Sequence, residues 1–185
     1  MSMLKQSKLY WEPYRNISHT SIPERLQDWL GEEGSFMQRV RNKGVLPQIQ
    51  VLNQCWGFPT LDEREQLNIL TRSYALFREV LIGSENKNWM FARTVIPRET
   101  LTGKLKQLAH LRKRSLGSQL FNDPTLLRSE FEVTCLVPNT NEHEALTTYI
   151  KIPSDEPIWA RRSLFYVQNK TLLLTEYFLP DILNL

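Results

Sequence analysis

The 185-residue sequence has little of what metal and redox chemistry needs. It carries two cysteines, Cys55 and Cys135, far apart and without ligand spacing, which argues for reduced thiols over a zinc site or a disulfide framework. Its three histidines, His19, His110 and His143, fall in separate polar contexts, so no local set of metal ligands forms and surface positions are expected for all three. No run approaches the roughly 18 apolar residues of a membrane-spanning helix, and the segment 1–10 lacks the apolar centre of a secretory signal. A net charge of +3 is too small to argue for nucleic acid. These absences describe a cytoplasmic chain with no nucleic-acid partner and no stable insertion into a membrane. Its length suits one domain with its own core.

What is present is a pattern of strands with a few short helices. Residues 1–21 are polar and expected to be loosely held, which leaves 22–185 as the single domain. Ser21-Ile22-Pro23-Glu24 reads as a helix start whose apolar face is Ile22, Leu26, Trp29 and Leu30, with Gly31 as its stop. Ser35 can cap a second helix beginning at Phe36. Strands are expected at 45–51, 74–82, 89–96, 126–137, 158–167 and 171–179, with turns at 56–59 and 83–88. A helix is expected over 100–111, where Leu101, Leu105 and Leu108 share a face. It is followed by the basic run His110-Leu111-Arg112-Lys113-Arg114, read as a solvated helix end. The stretch 62–70 is weakly helical, and 138–155 reads as a polar, variable loop.

The segment Trp89-Met90-Phe91-Ala92-Arg93-Thr94-Val95-Ile96-Pro97 is apolar on both faces, as a strand buried on both sides should be. Arg93 sits in its middle, and a guanidinium cannot shed its charge, so an anion must meet it there. A second hairpin resembles this one under a constant shift of 83 residues (86 to 169, 97 to 180). Arg78 falls on Arg161, the Asn-Lys turns coincide, and Arg93 falls on Glu176, inside the equally apolar Leu172-Leu173-Leu174-Thr175-Glu176-Tyr177-Phe178-Leu179. Two readings follow. Arg93 and Glu176 form a buried ion pair between two halves of a sheet, or they face each other across a cavity and hold opposite ends of a small ligand.

The strings around Ala92-Arg93-Thr94-Val95-Ile96-Pro97, Leu116-Gly117-Ser118 and Thr175-Glu176-Tyr177-Phe178-Leu179-Pro180, in this order and spacing, resemble the chorismate pyruvate-lyase family. Asp28-Trp29-Leu30 and Gly34-Ser35 fit its N-terminal part. The resemblance implies an α+β fold, a single antiparallel sheet with helices packed on it and an enclosed internal ligand site. It implies a monomer that needs no metal or organic cofactor and converts chorismate to 4-hydroxybenzoate and pyruvate for ubiquinone biosynthesis. Arg93 would then bind the ring carboxylate and Glu176 the 4-hydroxyl. Leu116 and the residue after Ser35 would add main-chain contacts. The family has Leu or Met and then Thr after that Gly-Ser; here stand Phe36 and Met37, so the contact falls on one of these two. The alternative is a non-catalytic aromatic-ligand sensor, because the second hairpin also resembles the sensing domains of bacterial transcription regulators. Those carry a winged-helix domain ahead of the sensor, and too few residues precede the fold here for one.

Overall fold

The structure, a computed structural model, describes residues 9–84 and 86–185. Eight strands form one antiparallel sheet: β1 (Glu12–Pro13), β2 (Gln48–Gly57), β3 (Ala75–Ser84), β4 (Lys87–Pro97), β5 (Leu127–Arg128), β6 (Glu132–Leu136), β7 (Ile158–Val167) and β8 (Lys170–Phe178). Their order is β1-β6-β7-β8-β4-β3-β2, with β5 pairing on β7. The helices are α1 (Glu24–Leu30), α2 (Phe36–Asn42), α3 (Leu61–Leu67), α4 (Gly117–Leu120) and α5 (Asn141–Ile150).

The central strands read as continuous apolar runs because both of their faces are covered. On one face α1 and α2 bring Leu26, Leu30, Phe36 and Val40 against Val80, Ile82, Met90 and Ala92. Beside them Leu105, Leu108, Leu111 and Leu116 cover Leu76, Ile96 and Phe165. On the opposite face α5 seats Leu146 and Ile150 on Leu81, Phe91 and Tyr177, and Leu67 of α3 packs with Phe77, Val95 and Leu173. No helix among the described residues is long and apolar enough to cross a membrane.

The two hairpins seen in the sequence are β3–β4 and β7–β8, and they lie side by side through the β4–β8 pairing. Their equivalence breaks at one place. The β3–β4 register slips between Ile82 and Gly83, where a side chain on Gly83 would put its Cβ 1.9 Å from the carbonyl oxygen of Lys87. A one-residue slip moves every later side chain to the other face. Under the shift of 83, Arg78 and Arg161, which precede the slip, therefore share a face, whereas Arg93 and Glu176, which follow it, do not. Glu85, in the expected turn, lies outside the described residues.

Several local expectations change. The loop expected at 138–155 contains α5, whose N-terminus is capped by Thr140 and whose end is turned by Lys151 at φ 57°. Its buried side is only His143, Leu146 and Ile150, too sparse among Thr, Glu and Asn to stand out as a periodic face. His143 is thus buried, not on the surface, with Nε2 2.9 Å from the carbonyl oxygen of Glu156. The helix expected over 100–111 is a 3-10 helix at Gly103–His110; Leu105, Leu108 and Leu111 recur every three residues, which suits three residues per turn. The strand expected at 45–51 starts at Gln48 and runs on to Gly57, into the first half of the turn expected at 56–59. Helix α1 starts at Glu24 after Pro23, with no side-chain cap from Ser21. Of the segment expected to be loosely held, residues 1–8 lie outside the described residues, whereas Glu12–Pro13 pairs with β6.

The enclosed internal ligand site is also corrected. Among the described residues the strand path has two free ends, β1 and β2, so the sheet does not close on itself and cannot wrap a ligand. What the fold offers is a cavity on one face of an open sheet.

Helix α3 is held by a capping box. Thr60 Oγ1 accepts from the Glu63 N–H at 3.3 Å, and Glu63 Oε2 accepts from the Thr60 N–H at 2.9 Å. Replacing Thr60 by Ala should cost about 1 kcal/mol, measured as a lower urea midpoint with an unchanged slope.

Candidate active site

The pleat decides which buried charges can meet. Ala92 pairs with Glu176, and Arg93 with Thr175, so Arg93 and Glu176 lie on opposite faces of the sheet. The expectation that they form opposite walls of one cavity is thereby corrected, and so is the alternative of a direct ion pair. Arg93 is 2% exposed on the α3 side. Its Nε donates to Glu63 Oε1 at 2.7 Å and its Nη1 to Glu79 Oε1, so two carboxylates meet one guanidinium. Burial works against the charge of Arg93, but Glu63 and Glu79 outweigh it and strengthen its hold on its proton. Tyr149 donates its hydroxyl to the same Glu79. Arg93 is a charge-compensated structural cation that ties α3 and, through Glu79 and Tyr149, α5 to β3 and β4.

Glu176 faces the other way, into a cavity that it shares with a different arginine. Arg78, Val80 and Ile82 of β3, Met90, Ala92 and Thr94 of β4, and Leu174 and Glu176 of β8 form the sheet side. Ser35, Phe36 and Met37 at the start of α2 and Leu116, Gly117 and Leu120 form the covering side. The two covering segments touch: a Cβ on Gly117 would lie 3.5 Å from Ser35 Oγ. The cavity is about 60 Å³ in the volume open to the centres of water molecules. One water needs roughly 10–15 Å³ on that measure, so a small ring fits and a large ligand does not. Phe36, Met37, Leu116 and Glu176 line this one cavity; Arg93 does not join them.

Arg78 is 2% exposed, and among the described residues no carboxylate pairs with it. Its Nη2 donates to the carbonyls of Arg112 and Arg114, both at 3.0 Å, and its Nε is buried without a partner. The basic run at 110–114 thus contributes backbone oxygens that hold a cation in place. Burial with no compensating anion pulls the Arg78 pKa down to about 10. A desolvated guanidinium with unused donors is a built-in site for an anion.

Glu176 is held as a carboxylate. Its Oε2 accepts from Arg161 Nε at 2.7 Å and from Arg128 Nη2 at 3.1 Å. Burial acts to raise its pKa, but the charges and hydrogen bonds of Arg161 and Arg128 win, and the pKa lies below its ordinary value. Both hydrogen bonds go to Oε2, which leaves Oε1 free to accept from a ligand. Arg161 is itself fixed by the carbonyls of Trp29, Leu30 and Glu32 at 2.7–3.0 Å, at the C-terminal end of α1 where a cation is favoured.

A cation with no anion and an ionised acceptor, on one small apolar cavity, fit an aromatic acid with a ring hydroxyl. The family model described as chorismate lyase matches residues 5–184. The chain belongs to the chorismate lyase family. A relative named probable chorismate pyruvate-lyase from Aromatoleum aromaticum is 35% identical over 165 residues, covering 89% of each chain. Another of that name from Psychromonas ingrahamii is 36% identical, covering 89% of this chain and 88% of its own. One from Coxiella burnetii is 33% identical, covering 96% and 95%. Among solved structures, the effector domain of PhnF from Mycobacterium smegmatis overlays with a TM-score of 0.59 at 11% identity, covering 80% of this chain and 90% of that one. That likeness shows a shared fold and no more.

Membership of the family does not rescue Arg93. Arg78, Arg128 and Arg161 lie outside the site residues expected from sequence, yet the criterion that singles out Arg93 applies to Arg78 too, since Leu76 and Val80 flank it at two-residue spacing. For Arg128 no such pattern existed, because β5 is only two residues long.

The two buried arginines should behave oppositely on removal. Arg93→Met strands two carboxylates and should cost about 3–5 kcal/mol of stability, whereas Arg78→Met removes an unpaired cation and should leave the urea midpoint unchanged or higher. Glu176 also predicts an acid response. Its folded pKa is depressed, so its stabilisation is complete above its unfolded value and is lost as pH falls through the lower folded one. Acid titration of stability should show this component in the parent protein and not in Glu176→Gln.

Proposed function

We propose that this cavity eliminates pyruvate from chorismate, with Arg78 as the binder of the ring carboxylate and Glu176 as the acceptor for the C4 hydroxyl. The observation that carries the reading is the sharing of one cavity by an anion-free buried guanidinium and an ionised glutamate, in a chain of the chorismate lyase family. Chorismate carries its carboxylate on C1 and its hydroxyl on C4, opposite ends of a six-membered ring, so these two groups orient it. Phe36, Met37 and Leu116 line the covering side, where their main chain lies close to the ring and their apolar side chains keep it in one pose.

The reaction asks for position more than for a strong acid or base. The C4 hydrogen leaves, the C3–O bond to the enolpyruvyl group breaks, and the new C3–C4 double bond completes the aromatic ring. The enolpyruvyl methylene carbon is placed to take the C4 hydrogen in the same event, turning its own C–O bond into the ketone of pyruvate. No atom is gained or lost. Glu176 is a poor proton acceptor because two guanidiniums favour its ionised form. Its work is to fix the C4 end of the ring, a contribution of orientation.

Purified protein incubated with chorismate should release 4-hydroxybenzoate and pyruvate in equal amounts; failure to release either overturns the assignment. Arg78→Met should lower kcat/KM by roughly 100-fold or more, mainly through KM, with 4-hydroxybenzoate binding weakened alike. Glu176→Gln should lose less than about 100-fold in kcat; a loss near 10,000-fold would hand it the proton instead.

A further inference from the structure

The cavity carries more positive charge than one carboxylate needs. Arg78, Arg128 and Arg161 stand against Glu176, three cations and one anion in a single buried group, which leaves an excess of two. Arg161 lies behind Glu176, 1% exposed in its side chain and engaged by three backbone carbonyls. Arg128 is on the cavity wall. Its guanidinium has five N–H groups, and three are used: Nε to Ser163 Oγ at 2.8 Å, Nη1 to the Glu33 carbonyl at 3.2 Å and Nη2 to Glu176 Oε2 at 3.1 Å. One N–H on each terminal nitrogen has no partner. The rings of Phe131 and Phe165, at 4.3 and 4.7 Å from its central carbon, hold it by their faces. The carboxylate of Glu33 is on an exposed residue and makes no ion pair with it.

Resting on the reading that the ligand is chorismate, we infer that Arg128 is a second substrate-binding cation, which meets the enolpyruvyl carboxylate. The covalent layout of the substrate supports this. The enolpyruvyl ether is on C3, next to the C4 hydroxyl and away from C1. With the C1 carboxylate on Arg78 and the C4 hydroxyl on Glu176, the second carboxylate falls at the Glu176 end of the cavity. Arg161 also leaves its Nη2 buried without a partner, but it is not among the residues that line the cavity; the lining cation with spare donors at that end is Arg128. Two cations in excess match a dianionic substrate, while 4-hydroxybenzoate, with one carboxylate, leaves one of them unmet. The site is therefore built for the substrate's charge and holds the ring product by Arg78 and Glu176 alone.

The test compares ligands that differ in the second carboxylate. Binding of 4-hydroxybenzoate and of 3-[(1-carboxyvinyl)oxy]-4-hydroxybenzoate, the same hydroxy acid with the enolpyruvyl ether added, is measured by calorimetry for the parent protein, Arg128→Met and Arg128→Lys, alongside KM and kcat for chorismate. In Arg128→Met the dicarboxylate and the chorismate KM should weaken roughly 10- to 100-fold, with 4-hydroxybenzoate within about 3-fold. Arg128→Lys should recover part of the loss and guards against misreading a misfolded Met variant. Equal weakening of both ligands would mean that Arg128 acts only through Glu176, and an unchanged chorismate KM would mean that it does not touch substrate; either overturns the inference. Failure of the parent protein itself to turn over chorismate or bind either ligand overturns the underlying reading instead.

Discussion

The pleat of the three neighbouring strands β3, β4 and β8 sorts the buried charges of this protein onto two faces, and most of its behaviour follows from that sorting. Arg93, Glu79 and Glu63 fall on the face covered by α3 and α5, where carboxylates outnumber the cation. Arg78, Arg161, Arg128 and Glu176 fall on the face covered by α1, α2 and the 115–120 segment, where cations outnumber the carboxylate. The backbone alternation that separates Arg78 from Glu79 and Arg93 from Glu176 has no tolerance: adjacent residues cannot share a side. A carboxylate-rich cluster on one face and surplus positive charge on the other are therefore consequences of strand geometry.

The two faces put similar chemistry to different uses. A guanidinium surrounded by carboxylates is inert and holds elements together; Arg93 links β4 to the capping box of α3 through Glu63, so a helix start and a strand centre share one side chain. A guanidinium left without an anion has to be positioned by other means. For Arg78 this is done by the carbonyls of Arg112 and Arg114, which orient the cation without neutralising it. Such preorganised, uncompensated charge is what lets a small site bind an anionic ring firmly with few contacts.

The sheet, its two hairpins and most of the apolar cover were legible because strands buried on both faces are continuous apolar runs, and Ser35 announced α2 correctly. Glu176 was legible for the same reason as Arg93: each is a charge inside an apolar run. Which of them reaches the cavity was not, because the slip at Gly83 displaces the face by one residue and leaves no mark in composition. The shift of 83 residues is real in the sequence and misleading in space for the same cause. Helix α5 was hidden by its polar composition, and its existence depends on the Thr140 cap and on Leu146 and Ile150 finding the α5 face of the sheet. The free ends at β1 and β2 depend on pairing between segments distant in sequence, which no local pattern encodes.

Arg161 joins parts of the molecule that would otherwise be independent. One nitrogen holds Glu176 on the sheet side of the cavity, and another holds the last carbonyls of α1, just ahead of Gly34 and Ser35 on the covering side. Floor and cover are thus fastened to a single planar group. A displacement of the connection between α1 and α2 would pull on the same guanidinium that sets the charge of the floor. The seating of the cover and the electrostatics of the floor are mechanically one variable.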